Sequence, residues 1–281
     1  MNNQSDYIAQ STKEKVSEPL KTGEYILAQY KVMQHMRRGN YYDVYQLWSE
    51  ERMCGCIGKV LRPECEDNQA SELLIQEGRN LEKLTHPNLV KVYEIFIKPR
   101  PMVILETLTG QTLHNLIRSN ITTPLSFNEI GHLGIQLCSV VQYLHNNNIL
   151  HLDLNTVNII SQPPFVKVID LSISRPPGVS KKGQGSKQFM SPEQVKGEHV
   201  SSATDVWGIG AVLYNAITGK FPFRHYEDRN KYDQLKDNII PIQSLRQSPE
   251  NLAEIVERCL KQDPNFRPKI ADINTELYKL V

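Results

Sequence analysis

The chain has 281 residues, of which 40% are hydrophobic and 22% are charged, a composition typical of folded globular proteins and unlike that of disordered ones. Its formal net charge of +1 gives no overall field that would attract nucleic acid or an anionic membrane. No stretch approaches the roughly 18 apolar residues that a membrane-spanning helix requires. We therefore expect a soluble protein with no nucleic-acid partner and no membrane span.

Cysteine spacing raises the question of a metal site, because Cys54, Cys56 and Cys65 lie close together in the sequence. Their C-x-C spacing lacks the paired C-x-x-C pattern of zinc sites, and the residues around it alternate as in a strand. The odd total of five cysteines, without a signal peptide, favours a reducing environment. We therefore expect no cysteine-bound metal and a cytoplasmic, intracellular location.

The first 24 residues are polar and show little apolar periodicity, which predicts a flexible N-terminal tail over residues 1–24. The signals that follow are mainly those of strands. Predicted strands lie at 25–27, 43–48, 56–61, 90–96 and 102–105. One helix is predicted among them at 72–84, where leucines recur at helical spacing and His86-Pro87-Asn88 ends the pattern.

After Gly110 the pattern becomes mainly helical. Predicted helices lie at 113–118, 127–146, 191–196, 203–219, 250–260 and 269–280. Two strand-like runs, 158–160 and 165–169, flank a turn at Gln162-Pro163-Pro164. A β-rich first part followed by an α-rich second part predicts an α+β fold with two lobes.

The segment from His151 to Asn158 reads H-L-D-L-N-T-V-N, and Asp170 directly follows the last predicted strand. Phosphoryl transfer needs a carboxylate beside the attacking hydroxyl and oxygen ligands that hold Mg²⁺ against the phosphates. Asp153, Asn158 and Asp170 supply these groups. Each of them alone is better explained as a turn or capping residue, so the hypothesis depends on their joint spacing.

This spacing resembles the H-R-D-x-x-x-x-N loop and the D-F-G turn of eukaryotic-type (Hanks-type) serine/threonine protein kinases. The resemblance implies that Asp153 orients the substrate hydroxyl or accepts its proton. It also implies that Asn158 and Asp170 bind Mg²⁺, or alternatively Mn²⁺.

The resemblance covers nearly the whole chain outside the tail. It implies one kinase domain over residues 25–281, with an N-lobe at about 25–105, a hinge at about 106–109 and a C-lobe at about 110–281. A protein substrate and ATP are the implied partners.

The implied ATP site contains Lys59, which stands at the lysine of the family's V-A-I-K motif and would hold the α- and β-phosphates. Glu77, on the predicted helix before His86, would pair with Lys59 and complete the catalytic set. Ile57 replaces the small alanine of the motif. The other residues implied to contact ATP are Gly39, Val44, Leu105, Glu106, Leu108 and Ile160.

The nucleotide-covering loop departs most from the family. In place of G-x-G-x-x-G-x-V, residues 37–44 read R-R-G-N-Y-Y-D-V, so that Gly39 is the only one of the three glycines that remains. Glycines let backbone N–H groups approach phosphate closely. Arg37 and Arg38 either compensate by charge or are ordinary surface arginines, and the sequence leaves these alternatives open.

Further motifs support a protein substrate. Residues 185–193, G-S-K-Q-F-M-S-P-E, resemble the end of a serine/threonine-kinase activation segment. By the same resemblance, Asp205 would accept hydrogen bonds from the catalytic-loop backbone, and Glu193 would form a buried ion pair with Arg267.

Three further departures affect the expected activity. Leu152 replaces an arginine that in many kinases binds a phosphate on the activation segment, which implies a non-RD kinase that is not gated by such phosphorylation. Asn155 replaces a lysine that neutralises the γ-phosphate, which implies slower transfer. Leu171-Ser172 replaces Phe-Gly and stiffens the turn after Asp170.

The function implied by the resemblance is ATP- and Mg²⁺-dependent transfer of the γ-phosphate to serine or threonine hydroxyls of protein, although Asn155 fits neither the serine/threonine nor the tyrosine pattern. The alternative is a pseudokinase that acts as a scaffold or nucleotide sensor, which the presence of all five catalytic residues disfavours. A small-molecule phosphotransferase of related fold is disfavoured by the segment at 185–193.

Overall fold

A computed structural model of the chain describes residues 17–65, 68–120, 123–223, 232–235 and 238–281. The chain divides into a first compact unit, Met1–Ile75 with Tyr93–Thr107, and a second, Gln76–Val92 with Leu108–Val281. The division after Thr107 falls within the predicted hinge. Residues 1–16 of the predicted tail lie outside the described residues.

The described part of the first unit is built on a six-stranded sheet with the order β1-β2-β3-β4-β6-β5. Its strands are β1 (Tyr25–Ile26), β2 (Tyr30–Arg38), β3 (Tyr42–Ser49), β4 (Cys54–Leu61), β5 (Val92–Phe96) and β6 (Met102–Glu106). Side chains alternate between the two faces of a strand. In β3 this alternation buries Tyr45 and Leu47 in the core, with Cys56 and Val60 of β4 beside them.

Residues 17–24 make hydrogen bonds with the sheet. The Leu20 amide donates to the Tyr45 hydroxyl over 3.1 Å, and the Gly23 amide donates to the Val32 carbonyl over 2.8 Å. This part of the predicted tail therefore pairs with β2 and contacts the side chain of Tyr45 on β3.

The helix α1 (Asn68–Glu82) follows β4, and most of the remaining elements belong to the second unit. The helices there are α2 (Leu113–Ser119), α3 (Phe127–Asn146), α4 (Pro192–Lys196), α5 (Ser202–Thr218), α6 (Glu250–Cys259) and α7 (Ile270–Tyr278). The strands there are β7 (Gln111–Thr112), β8 (Ile159–Gln162), β9 (Phe165–Val168), β10 (Gly178–Val179) and β11 (His199–Val200).

Local sequence explains where the central helices lie. Ser126 and Glu129 form a reciprocal capping box that starts α3. The helix α5 is buried almost throughout, and it approaches the chain closely at Gly208, where a Cβ atom would lie 2.9 Å from Cβ of Leu154. Glycine at this position therefore lets α5 pack directly behind the segment that carries Asp153.

The predicted α+β fold class is confirmed, with a β-rich first unit and a mainly helical second unit. Among the described residues, no helix combines the length and the apolar character that crossing a membrane demands.

A buried ion pair anchors the end of the segment at 185–193. Arg267 donates from Nη1 and Nη2 to the two carboxylate oxygens of Glu193, over 2.7 and 2.9 Å, and Thr204 donates to the same carboxylate. Burial alone would raise the pKa of Glu193, but these hydrogen bonds outweigh it and hold the pKa below its usual value. The pair predicted from the sequence is present.

We expect Glu193→Gln to lower the free energy of unfolding by about 3 kcal/mol near neutral pH, because the Arg267 charge stays buried without its counter-charge. Since the folded pKa of Glu193 is depressed, its contribution is present above the unfolded value of about 4.3 and is lost as the pH falls through the folded value. The difference between wild type and variant should therefore shrink in acid, as measured by urea denaturation at several pH values.

The control for this experiment is Glu198→Gln. The Glu198 side chain is 58% exposed and lies 3.9 Å from Lys196, so its loss should change the unfolding free energy by less than about 0.5 kcal/mol. A deficit in Glu193→Gln that stays constant down to acid pH would contradict the assigned ion pair.

Candidate active site

Several residues predicted to contact ATP share one face of the sheet in the first unit. Val44 lies directly opposite Lys59, and Ile57 lies opposite Leu105. Residues paired across antiparallel strands point to the same side, and all four are partly buried. They therefore form one half-buried surface with the ammonium group of Lys59 near its end.

The other predicted ATP contacts lie around this surface or in the second unit. Glu106 ends β6 opposite Cys56. Leu108 is the first residue of the second unit after Thr107. Ile160 lies in β8, opposite Lys167.

Tyr42 covers Lys59 on the same face. It is two residues from Val44, the direct partner of Lys59, and this diagonal position is within reach of long side chains. The Lys59 Nζ atom lies 4.9 Å from the centroid of the Tyr42 ring, a cation–π distance. The Tyr42 hydroxyl donates to the Ala70 carbonyl over 3.4 Å, which orients the ring between Lys59 and α1.

The turn between β2 and β3 is clamped by charged side chains. Arg38 donates from Nε and Nη2 to the two carboxylate oxygens of Asp43, over 3.0 and 2.9 Å, and His35 lies 3.0 Å from the same carboxylate. Burial would raise the pKa of Asp43, but Arg38 and His35 outweigh it and lower the pKa. Arg38 is therefore engaged in shaping the turn, whereas Arg37 is exposed.

The catalytic-loop backbone is held from α5 by Asp205. The buried Asp205 carboxylate accepts the amides of His151 and Leu152, each over 2.8 Å, and lies 2.8 Å from His145 Nε2. Leu152 has a left-handed backbone with φ of 66°. The role that the resemblance implies for Asp205 is present in the structure.

The Asp153 carboxylate is fixed by two donors on opposite sides. Asn158 Nδ2 donates to Asp153 Oδ2 over 3.0 Å, and the Ser186 amide donates to Asp153 Oδ1 over 2.9 Å. Ser186 belongs to the segment at 185–193, so this segment directly contacts the carboxylate. Because Nδ2 of Asn158 faces Asp153, the Oδ1 atom of Asn158 points to the other side.

Asn155 connects these groups through both ends of its side-chain amide. Its Nδ2 atom donates to the Asp153 carbonyl over 3.0 Å and to the Ser186 hydroxyl over 2.9 Å. Its Oδ1 atom accepts the amides of Val157 and Asn158 over 2.8 and 3.0 Å. With 4% exposure, Asn155 acts as a neutral brace for the loop.

Asp170 is linked to the same loop through the backbone, since the Ile169 amide donates to the Asn158 carbonyl over 2.9 Å. Asp170 has a left-handed φ of 68°, and its Oδ1 atom accepts the Ser172 amide over 3.0 Å. Asp153, Asn158 and Asp170 thus belong to one connected hydrogen-bonded segment. Glu77 lies on the part of α1 that belongs to the second unit and is 4% exposed.

Sequence reasoning missed three features of the site. It treated Asn155 as a lost charge and not as a brace, it assigned no contact to Tyr42, and it gave no role to Arg62, which contacts the turn at Gly39. No local motif marks Arg62. The diagonal position of Tyr42 was readable only with the β3–β4 register known.

The family model of the protein kinase domain matches residues 30–278. Among curated proteins, the chain is 30% identical over 220 residues to serine/threonine-protein kinase par-4 of Caenorhabditis briggsae, covering 74% of this chain and 33% of that protein. It is 28% identical over 228 residues to serine/threonine-protein kinase PknB of Mycobacterium leprae, covering 76% and 36%.

A plant relative is similar as well. Serine/threonine-protein kinase STY46 of Arabidopsis thaliana is 26% identical over 228 residues, with 79% of this chain and 39% of that protein covered. The match with each of these relatives thus spans only between 33% and 39% of the relative's length. The family model, by contrast, accounts for nearly all of the described chain, and on that match the chain belongs to the protein kinase domain family.

Proposed function

We propose that this chain transfers the γ-phosphate of ATP to serine or threonine hydroxyls of protein substrates with the help of Mg²⁺. The observation that carries the proposal is the fixed carboxylate of Asp153, held by Asn158 and Ser186 over 3.0 and 2.9 Å. One of its two donors lies in the segment expected to receive a protein substrate. This contact supports a role for Asp153 toward a hydroxyl of a substrate that binds at that segment.

In this proposal Asp153 orients the attacking hydroxyl and accepts its proton as the oxygen attacks the γ-phosphorus, the bond from the γ-phosphorus to the β,γ-bridging oxygen breaks, and ADP leaves. Asn158 Oδ1 and the Asp170 carboxylate would hold Mg²⁺, and oxygen donors of these two types suit that ion. When bound, Mg²⁺ neutralises charge that develops on the phosphates. Lys59 would hold the α- and β-phosphates, with Glu77 as its proposed partner.

The adenine would lie against the half-buried sheet surface formed by Val44, Ile57 and Leu105. Backbone groups of Glu106 and Leu108 would hydrogen-bond its edge. Gly39 would lie over the phosphates, and Ile160 would be a further contact of the base. The serine/threonine preference rests on Ser186 and on the similarity to the relatives named above.

Replacing the proposed base tests the function directly. We expect Asp153→Asn to lower the rate of phosphate transfer from labelled ATP to a generic protein substrate by about 10²–10⁴-fold, the usual contribution of a positioned acid or base. ATP affinity should change little. Asp272→Asn, at an exposed cap of α7, is the matched control and should retain the wild-type rate.

Two outcomes would replace the proposal. ATP binding by wild type without transfer to itself or to protein would favour a pseudokinase that acts as a scaffold or nucleotide sensor. Transfer to sugars or antibiotics but not to protein would favour a small-molecule phosphotransferase.

We further propose that activity does not depend on phosphorylation of the segment between Asp170 and Pro192. Leu152, at the position of the phosphate-binding arginine, is buried in an apolar cluster with Leu150 and Val200. The segment is instead paired through its backbone, with β10 against β11. Gln194 links the segment to the loop at Leu152, because its Nε2 atom donates to the carbonyls of Gln184 and Leu152 over 3.2 and 2.7 Å.

This independence can be measured by treating the purified protein with a phosphatase. The initial rate of transfer should stay within about twofold of the untreated rate, because no charged group in the Leu152 cluster awaits a phosphate. Complete dephosphorylation is checked by mass spectrometry. A large loss of rate that returns after preincubation with ATP would show phosphate gating.

Asn155 provides a third test. We expect Asn155→Ala to lower the transfer rate by at least about tenfold, since it removes four hydrogen bonds, one each with Asp153, Val157, Asn158 and Ser186. Asn155→Lys restores the family's residue type but cannot accept the Val157 and Asn158 amides, so it should not exceed wild type. A faster Asn155→Lys variant would show that the missing charge, and not the brace, limits the rate.

A further inference from the structure

The carbonyl groups of the turn between β2 and β3 accept hydrogen bonds, most of them from Arg62, which lies outside the turn. Arg62 Nη1 donates to the carbonyls of Gly39 and Asn40 over 2.9 and 3.0 Å. The Arg62 amide donates to the Tyr41 carbonyl over 2.9 Å, and the Gly39 amide donates to the Tyr42 carbonyl over 2.7 Å. Four successive carbonyls are thus bound, three of them by Arg62.

Arg62 is itself oriented by Glu64 and Ser17. Glu64 Oε1 accepts Arg62 Nε over 3.1 Å as well as Nη2, and Glu64 Oε2 accepts the Ser17 hydroxyl. The hydrogen bond from Ser17, together with those from Arg62, lowers the pKa of Glu64 to about 2. The side chains of Arg62 and Glu64 are both only 13% exposed, so the chain Ser17–Glu64–Arg62 forms a largely covered strut.

The hydrogen bonds of the Arg62 guanidinium indicate that it positions the turn and does not bind phosphate directly. A guanidinium group offers five N–H donors in a rigid planar fork. In Arg62, donors on Nη1 bind the turn while Nε and Nη2 bind Glu64. Because four of its five N–H donors already bind these acceptors, Arg62 fixes the turn and has little capacity left to bind a ligand.

The strut contacts the turn in which two of the family's glycines are missing. Only Gly39 remains of the three glycines expected in this loop, so the turn cannot adapt to phosphate through flexible backbone. Arg38 and Asp43 clamp the strands at one side of the turn, and Arg62 clamps the tip. The turn is thereby held in one shape before any phosphate arrives.

We infer that Arg62 is a positioning residue that gives the nucleotide-covering turn its phosphate-binding shape, and that Ser17 extends this strut into the N-terminal segment. The inference deepens the proposed function and rests on it for the identity of the ligand, ATP. It adds that the segment before β1 contributes to nucleotide affinity through Glu64. The affinity for adenosine, which lacks the phosphates, should not depend on the strut.

The test compares Arg62→Ala, Arg62→Lys and Ser17→Ala with wild type. Arg52→Ala is the matched control, because Arg52 lies in the same unit and pairs with Glu94 over 3.0 Å without contacting the turn. Two quantities are measured for each protein: the hydrogen-exchange rate of the peptide that contains residues 39–43, and the dissociation constants for Mg²⁺–ATP and for adenosine.

Arg62→Ala should speed exchange in this peptide and weaken ATP binding by about tenfold or more, since charge-assisted hydrogen bonds are lost. Adenosine affinity should stay within about twofold, because the base contacts another surface. The exchange rate and ATP affinity of Arg62→Lys should lie between those of wild type and Arg62→Ala, since one ammonium group cannot replace the guanidinium fork. Ser17→Ala should show a smaller effect of the same kind, and Arg52→Ala none.

Two results would overturn the inference. Unchanged exchange in Arg62→Ala would show that the strut does not hold the turn, whether or not the protein binds nucleotide. Equal losses for ATP and adenosine would show that Arg62 supports the unit as a whole and not the phosphates. If wild type binds no ATP, the proposed function fails, and the exchange measurement still decides whether the strut shapes the turn.

Discussion

A buried carboxylate on α5, that of Asp205, accepts the backbone amides of His151 and Leu152 over 2.8 Å each. A hydrogen bond to a charged acceptor contributes about 1.5–3 kcal/mol, whereas a left-handed leucine costs about 1–2 kcal/mol. Two such bonds therefore offset the free-energy cost of the left-handed conformation of Leu152. That conformation turns the chain so that the next residue, Asp153, faces Asn158 and Ser186, and the candidate site of the second unit follows from it.

In the first unit, charged side chains take the place of glycine in shaping the turn between β2 and β3. A loop that covers phosphate needs a defined backbone shape, and glycine supplies it by tolerating unusual dihedral angles. Here two arginine forks bind the turn from different sides, Arg38 through Asp43 and Arg62 through the carbonyls. A rigid turn pays its ordering cost on folding, so less entropy remains to be lost on binding a ligand.

Much of the fold was predictable because local signals and burial agree. The helix α3 was predicted at 127–146 and spans Phe127–Asn146, since Ser126 and Glu129 mark its start and a continuous apolar face follows. The strand β2 was not predicted. Its pairing with β3 shifts register twice, between Val32 and Gln34 and between His35 and Arg37, and each irregularity interrupts the alternation on which strand prediction depends.

The residue types of the candidate site could be predicted from the sequence, but their hydrogen-bonding partners could not. The motif identified Asp153, Asn158 and Asp170 because phosphoryl transfer constrains residue type and spacing together. Whether Arg38 pairs with Asp43 or faces solvent depends on the shape of the turn, which the sequence alone does not specify. Arg62 lies 23 residues from Gly39, and such a contact between distant segments has no local signature.

The catalytic loop holds its shape without the two positive charges that the family's motif carries at positions 152 and 155. Leu152 lies in an apolar cluster, and Asn155 makes four hydrogen bonds. They supply no charge, so in the proposed reaction the phosphates must be neutralised by Lys59 and by the metal held at Asn158 and Asp170. Because the Tyr42 ring already lies over the Lys59 ammonium, nucleotide in the proposed reaction would have to compete with that contact, and the proposed metal ligands would carry correspondingly more of the electrostatic stabilisation.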